Sequence, residues 1–165
     1  MNQQIDLFEE RDAAAVRCTV CGLRDAQAGV DVCRRCVERP EEAMTQIDLM
    51  LASFAARQRQ AARRAQDAWD ALSDEERQRW GAFREALARQ QAGEALPDAI
   101  KRRLAITLQA YADQDLRTLT WGLLAMDTAQ RLLDHANADL AEAQRRRDRK
   151  LAALREACGV HPDGR

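Results

Sequence analysis

Cys18-Thr19-Val20-Cys21 and, eleven residues later, Cys33-Arg34-Arg35-Cys36 are the two fixed points of this sequence. Each C-x-x-C pair lets two thiolates on one tight turn point at a common centre. Two such pairs a short loop apart supply the four sulfurs of a closed tetrahedral zinc site, with no position left for water or substrate. Cys18, Cys21, Cys33 and Cys36 are therefore read as ligands of one structural Zn2+. Gly22 follows the first pair as in a knuckle turn, and Asp25-Ala26-Gln27-Ala28-Gly29 reads as a turn between the pairs. Leu23 and the alternating Val30-Asp31-Val32 suggest a small hairpin. Val37-Glu38-Arg39-Pro40 suggests one helical turn stopped by proline.

The segment 18–40 resembles a zinc ribbon or a treble-clef finger, and spacing does not separate the two. Some 20 residues hold too little core to fold unaided, so a metal staple or protein-docking module is expected. Arg24, Arg34 and Arg35 lie among Asp25, Asp31 and Glu38, which offset them.

Working outward, residues 41–158 read as helical. The 165-residue chain is 46% apolar, 32% charged and only 4% aromatic, a composition suited to helices packed through small side chains. Met44, Ile47, Leu51, Phe54, Gln58, Ala61, Ala65, Ala68 and Leu72 step by three and four, a seam narrow at its alanine end. Ser73 with Glu76 is a capping box that starts a second helix bearing Trp80, Phe83 and Leu87 and ending near Gln91. Trp69 is expected near Trp80. Gly93 and Pro97 mark a loop, and Asp98 opens a helix with Ile100, Leu104 and Leu108. A break is expected near Tyr111–Asp113, with Asp113 as a cap.

The last helix is then long, about 65 Å if unbroken. Its seam reads Leu116, Leu119, Leu123, Met126, Gln130, Leu133, Asn137, Leu140, Gln144, Arg147, Leu151, Leu154 and Cys158. A seam asparagine can set register. Short loops favour an internal antiparallel bundle, while the end from about Gln144 outruns the first helix and suits a homodimer contact. The fold expected is mostly α: a small four-cysteine zinc module, then a helical bundle with a long C-terminal helix of coiled-coil character. Residues 159–165 read as a disordered end.

The tail, 1–17, carries Gln4-Ile5-Asp6-Leu7-Phe8. This pentapeptide resembles the motif by which bacterial replication and repair proteins bind the ring-shaped sliding clamp. The resemblance covers five residues and implies an extended peptide. Leu7 and Phe8 would fill the deep apolar pocket, and Gln4 would fix one end through its amide. Ile5, where leucine is commoner, would cover the shallower surface, and Asp6 would take the polar centre. Paired large apolar residues near a terminus make good anchors for such a pocket. The alternative is a short amphipathic helix, Ile5 to Val16, docked on the body. Gln46-Ile47-Asp48-Leu49-Met50 nearly repeats the pentapeptide, but within a helical stretch where an extended peptide cannot form.

Net charge is −1, so nucleic-acid binding requires a local patch. Arg145, Arg146, Arg147, Arg149 and Lys150 are five bases around one acid and form the candidate phosphate contact. Arg57, Arg59, Arg63 and Arg64 form a second cluster, and Lys101, Arg102 and Arg103 a third. No aromatics interleave with the first, so base stacking is not suggested. Enzyme chemistry finds no support: His135 and His161 stand apart, and glycine-rich phosphate loops and nucleophile elbows are missing. Without a signal peptide or a spanning run, the chain reads as cytoplasmic, where clustered cysteines favour zinc over disulfides.

These features imply a non-enzymatic accessory protein recruited to the sliding clamp in chromosomal, plasmid or phage DNA replication or repair. The zinc module beside a helical hairpin also resembles the DksA/TraR-type regulators of RNA polymerase, with the order of the two parts reversed. A structural adaptor in a nucleoprotein complex is the third expectation.

Overall fold

The computed structural model describes residues 16–159. They are mostly helical: α1 (Arg34–Glu38), α2 (Pro40–Asp70), α3 (Asp74–Gln91), α4 (Asp98–Asp113) and α5 (Trp121–Ala157). The chain divides into two compact units, Met1–Ser53 with Ala141–Arg165, and Phe54–Leu140. α2 and α5 contribute residues to both.

In the unit of Phe54–Leu140, α2 and α5 run antiparallel. Near the α2 end, a Cβ on Gly122 would lie 3.1 Å from a Leu72 methyl, so the first turn of α5 packs closely on Leu72 here. Further along, Gln58 Nε2 donates to Asn137 Oδ1 at 3.2 Å. The two polar seam positions thus satisfy each other and fix the register. Leu72, Trp80, Phe83, Leu104, Tyr111, Leu119, Leu123 and Met126 form the core. Trp80 stacks edge-on against Tyr111 at 5.8 Å and tilts against Phe83 at 5.6 Å. Trp69 packs against this core, but the Trp80 ring pairs with Phe83 and Tyr111. Burial pushes the Tyr111 hydroxyl up to about 12, the charge of Asp127 adding to the effect.

The joints follow from side-chain chemistry. Arg77 donates to the Trp69 and Asp70 carbonyls, satisfying the end of α2. Ser73 and Glu76 form the expected capping box of α3. α4 stops where Gln114 turns left-handed at φ 51°, donating to the Ala110 and Tyr111 carbonyls. Asp115 then binds Arg117 N at 3.0 Å and Thr118 Oγ1 at 2.9 Å, closing a turn. Thr120 accepts from Leu123 N at 3.3 Å and opens α5. The last helix therefore begins at Trp121 rather than directly after a cap at Asp113, and its 37 residues span about 55 Å. Leu116, expected on its seam, lies in the turn and is 48% exposed.

In the other unit, Ala43 and Ile47 of α2 and Leu154 of α5 share a core with Cys18, Val20, Val32, Cys33 and Cys36. Leu151, Ala153, Ala157 and Cys158 pack around it. The end of α5, expected to lack an internal partner, finds one in the cysteine module. The expected hairpin over Val30–Val32 is not formed: a single antiparallel bridge, Arg17 with Asp25, is the pairing present among the described residues. Val32 is instead fully buried in the core.

Candidate metal centre

The first cysteine pair sits on a turn. Gly22 N donates to Cys18 O at 2.8 Å, and Gly22 takes φ 67°, which a side chain resists. Thr19 N reaches Asp31 O at 2.8 Å and Cys18 N reaches Arg24 O at 2.7 Å, so the loop between the pairs closes on the knuckle. The second pair sits at the start of α1. Cys33 is its N-cap residue, and Cys36 N and Val37 N both donate to Cys33 O. Pro40 then opens α2, its missing N–H being no loss in a first turn.

The result brings together all four cysteines singled out from spacing. Their sulfurs lie within 4.8 Å of one another, Cys18, Cys33 and Cys36 being buried and Cys21 partly so. Cys21 and Cys33 sulfurs are 3.8 Å apart, and those of Cys18 and Cys36 4.0 Å apart. Sulfurs each bonded at about 2.3 Å to one tetrahedral zinc stand about 3.8 Å apart, whereas a disulfide needs about 2.05 Å. The spacing and the all-thiol donor set thus fit a metal ion such as zinc, and all five cysteines are free of disulfides. The protein supplies a further feature of such sites: Cys33 N donates to Cys18 Sγ at 3.2 Å.

Burial works against the Cys18 thiolate, but backbone N–H groups of Cys21, Cys33 and Val20 outweigh it and bring the thiol down to about 6. Burial, with the sulfur of Cys33 and the charge of Cys18, pushes Cys36 up. Crowded sulfurs resist ionising together, and a shared cation removes that resistance. Arg24, Arg35 and Arg39 line the hollow beside Cys21, Cys33 and Cys36. Arg35 and Arg39 also pair with Glu42, at 3.6 and 2.9 Å. Four sulfurs would complete the shell of a tetrahedral ion and leave no place for a reacting group, which is the arrangement of a structural centre.

The other residues singled out from the sequence fall elsewhere. Gln4, Ile5, Asp6, Leu7 and Phe8 lie outside the described residues, as does His161. In the near-repeat at 46–50, Ile47 is 3% exposed in the cysteine-module core and Asp48 pairs with Arg147 at 3.3 Å, so this copy is built into the helix. Arg145, Arg146 and Arg149 converge on Glu142 at 2.8, 3.0 and 3.2 Å. Bonds from Arg146 and Arg145 hold the Glu142 carboxyl below its usual range. Arg147 pairs with Asp48 and Asp148. Lys150 Nζ donates to Val20 O at 2.7 Å, tying α5 to the knuckle. That bond was missed in the sequence because a lysine in a basic run carries no mark of which carbonyl it meets.

No family model, no curated protein and no solved structure matches the chain. No helix among the described residues is long and apolar enough to cross a membrane.

Proposed function

We propose that this protein is a non-enzymatic accessory factor recruited to the bacterial sliding clamp, acting in DNA replication or repair. The observation that carries the reading is Gln4-Ile5-Asp6-Leu7-Phe8, which has an amide, a central acid and a terminal Leu-Phe in the order a clamp-bound peptide presents them. The acidic pair Glu9-Glu10 follows at once. The metal of the cysteine centre is zinc in this reading. Its second ligand pair on the first turn of a helix favours a treble-clef-like finger over a ribbon, whose pairs both sit on knuckles. The module serves as a joint that holds the peptide-bearing tail beside the helical segments.

The test uses purified clamp and the full-length protein in a direct binding titration. Leu7→Ala with Phe8→Ala removes both pocket anchors and is expected to weaken binding by roughly 100-fold, as hot-spot truncations do. Gln4→Ala is expected to cost less. Equal binding by the double variant, or no binding by the wild type, overturns the proposal.

A further inference from the structure

Between Asp48 and Asp67, α2 runs for eighteen residues, Leu49 to Gln66, without a carboxylate and with four arginines: Arg57, Arg59, Arg63 and Arg64. The chain has 26 basic and 27 acidic residues, so outside this stretch 22 bases face 27 acids. Charge is concentrated here against the balance of the molecule. All four arginines are exposed, and all lie within the single unit Phe54–Leu140. None of them forms an ion pair with a described residue. The Arg145–Arg149 set differs, since Glu142, Asp48 and Asp148 hold its guanidiniums.

The geometry spreads these charges over a surface. At 100° per residue, Arg57 and Arg64 share one side of α2, and Arg59 and Arg63 lie about a third of a turn or more around it. Arg57 is held 4.3 Å over the ring of Phe54, which fixes its guanidinium at the rim of a shallow groove. Arg64 stands on the same rim, and His135 and Asp139 of α5 line the far side. Asp139 lines the same groove and Asp67 follows Arg63 by one helical turn, and neither forms an ion pair with any of the four. Along the helix, Arg57 and Arg64 are about 10 Å apart.

We propose that this face of α2 binds the phosphate backbone of a nucleic acid. Guanidiniums pair with phosphate in a bidentate manner, and a polymer of phosphates can satisfy two stripes of arginine in any register. An acidic helix would have to place carboxylates on both stripes at matching heights. Arg57 lies over one face of Phe54, and no aromatic residue stands among the four arginines from 57 to 64, so the binding proposed is to the backbone and indifferent to sequence. This inference does not rest on the clamp peptide, and its test contains no clamp.

The experiment is fluorescence anisotropy of the full chain with labelled duplex and single-stranded oligonucleotides, from about 50 mM salt upward. The wild type binds at least one of them, and binding weakens with salt. Replacing Arg57, Arg59, Arg63 and Arg64 by glutamine keeps good helix formers in place. It is expected to lower affinity by roughly 100-fold at low salt and to reduce the slope of log K against log salt by about 3. Circular dichroism checks the helix, and Arg57→Gln with Arg64→Gln is the milder variant, expected to lose an intermediate amount. Four results overturn the proposal: no binding by the wild type to either oligonucleotide; unchanged binding by both variants; a larger loss from Arg145→Gln, Arg146→Gln and Arg149→Gln together; or displacement by polyglutamate more readily than by unlabelled oligonucleotide, which assigns the face to an acidic protein partner.

Discussion

The two compact units draw on the same pair of long helices and are held together by different means. In the unit with the cysteines, the buried core among the described residues is Cys18, Val20, Val32, Cys33, Cys36, Ala43, Ile47 and Leu154, none of them aromatic. In the unit of Phe54–Leu140, Trp80, Phe83 and Tyr111 lie at the centre of a leucine-rich core. A large ring buries 150–250 Å2 or so, several times what a cysteine offers. In the reading proposed above, a metal held by the four cysteines completes the first unit, whereas packing completes the other.

That contrast is put at most risk by removing the proposed zinc. Zinc bound by four thiolates contributes on the order of 10 kcal/mol of apparent folding free energy. A strong chelator, or Cys33→Ser, is expected to abolish amide protection around Val20, Val32 and Ile47 and in the last turns of α5. Protection around Trp80, Phe83 and Leu123 is expected to remain. Hydrogen exchange read by mass spectrometry checks both halves of the statement. Persistent protection at Val20 and Val32 after chelation would mean that the small core suffices alone.

The complementary change is Leu123→Ala. Leu123 is 2% exposed, and the cavity left is expected to cost about 2–5 kcal/mol, lowering the melting transition of the aromatic unit. Metal affinity, measured by competition with a chromogenic chelator, is expected to hold. If it falls in parallel, the units fold as one and the contrast dissolves.

The same contrast explains what could be read from the sequence. Cysteine chemistry is local: Cys18, Cys21, Cys33 and Cys36 declare their role by spacing, because two thiolates must share one turn. The Ser73–Glu76 box and the Trp80–Phe83–Leu87 face are equally local. Long-range pairing is not. Three-four periodicity shows that Leu151 and Leu154 lie on an apolar face, but not that the face meets Val20 and Val32. Ala129 and Ala143 are buried at 7% and 2%, yet alanine is so common along this helix that it marks no seam. Gln114 takes a left-handed turn without being glycine, so the true start of α5 left no plain signal. The Arg145–Lys150 run stands out by composition, whereas its engagement with Glu142, Asp48 and Val20 depends on helical geometry and on neighbours remote in sequence.

The smallest expected effect sits at Glu76, where two helix starts in the aromatic unit share one carboxylate. Its Oε2 accepts from Ser73 N at 2.9 Å, and its Oε1 accepts from Thr120 Oγ1, the residue that opens α5. A Cβ on Gly122 would lie 3.0 Å from Oε1, so a side chain there would press on this carboxylate. The bond from Thr120, then those from Ser73, hold the Glu76 carboxyl below its usual range. A native pKa below the unfolded one stabilises the fold at pH values above the unfolded pKa, and that contribution is lost as pH falls through the native pKa. Glu76→Ala removes the shared acceptor and is expected to cost about 1 kcal/mol at neutral pH, typical of a lost cap. Glu76→Gln keeps one acceptor and the shape of the box but cannot titrate. Thermal melts from neutral to acid pH should therefore show wild type and Glu76→Gln converging as the carboxylate is protonated. A constant gap across that range would mean that the carboxylate's charge contributes nothing, and that the joint is held by the geometry of the cap alone.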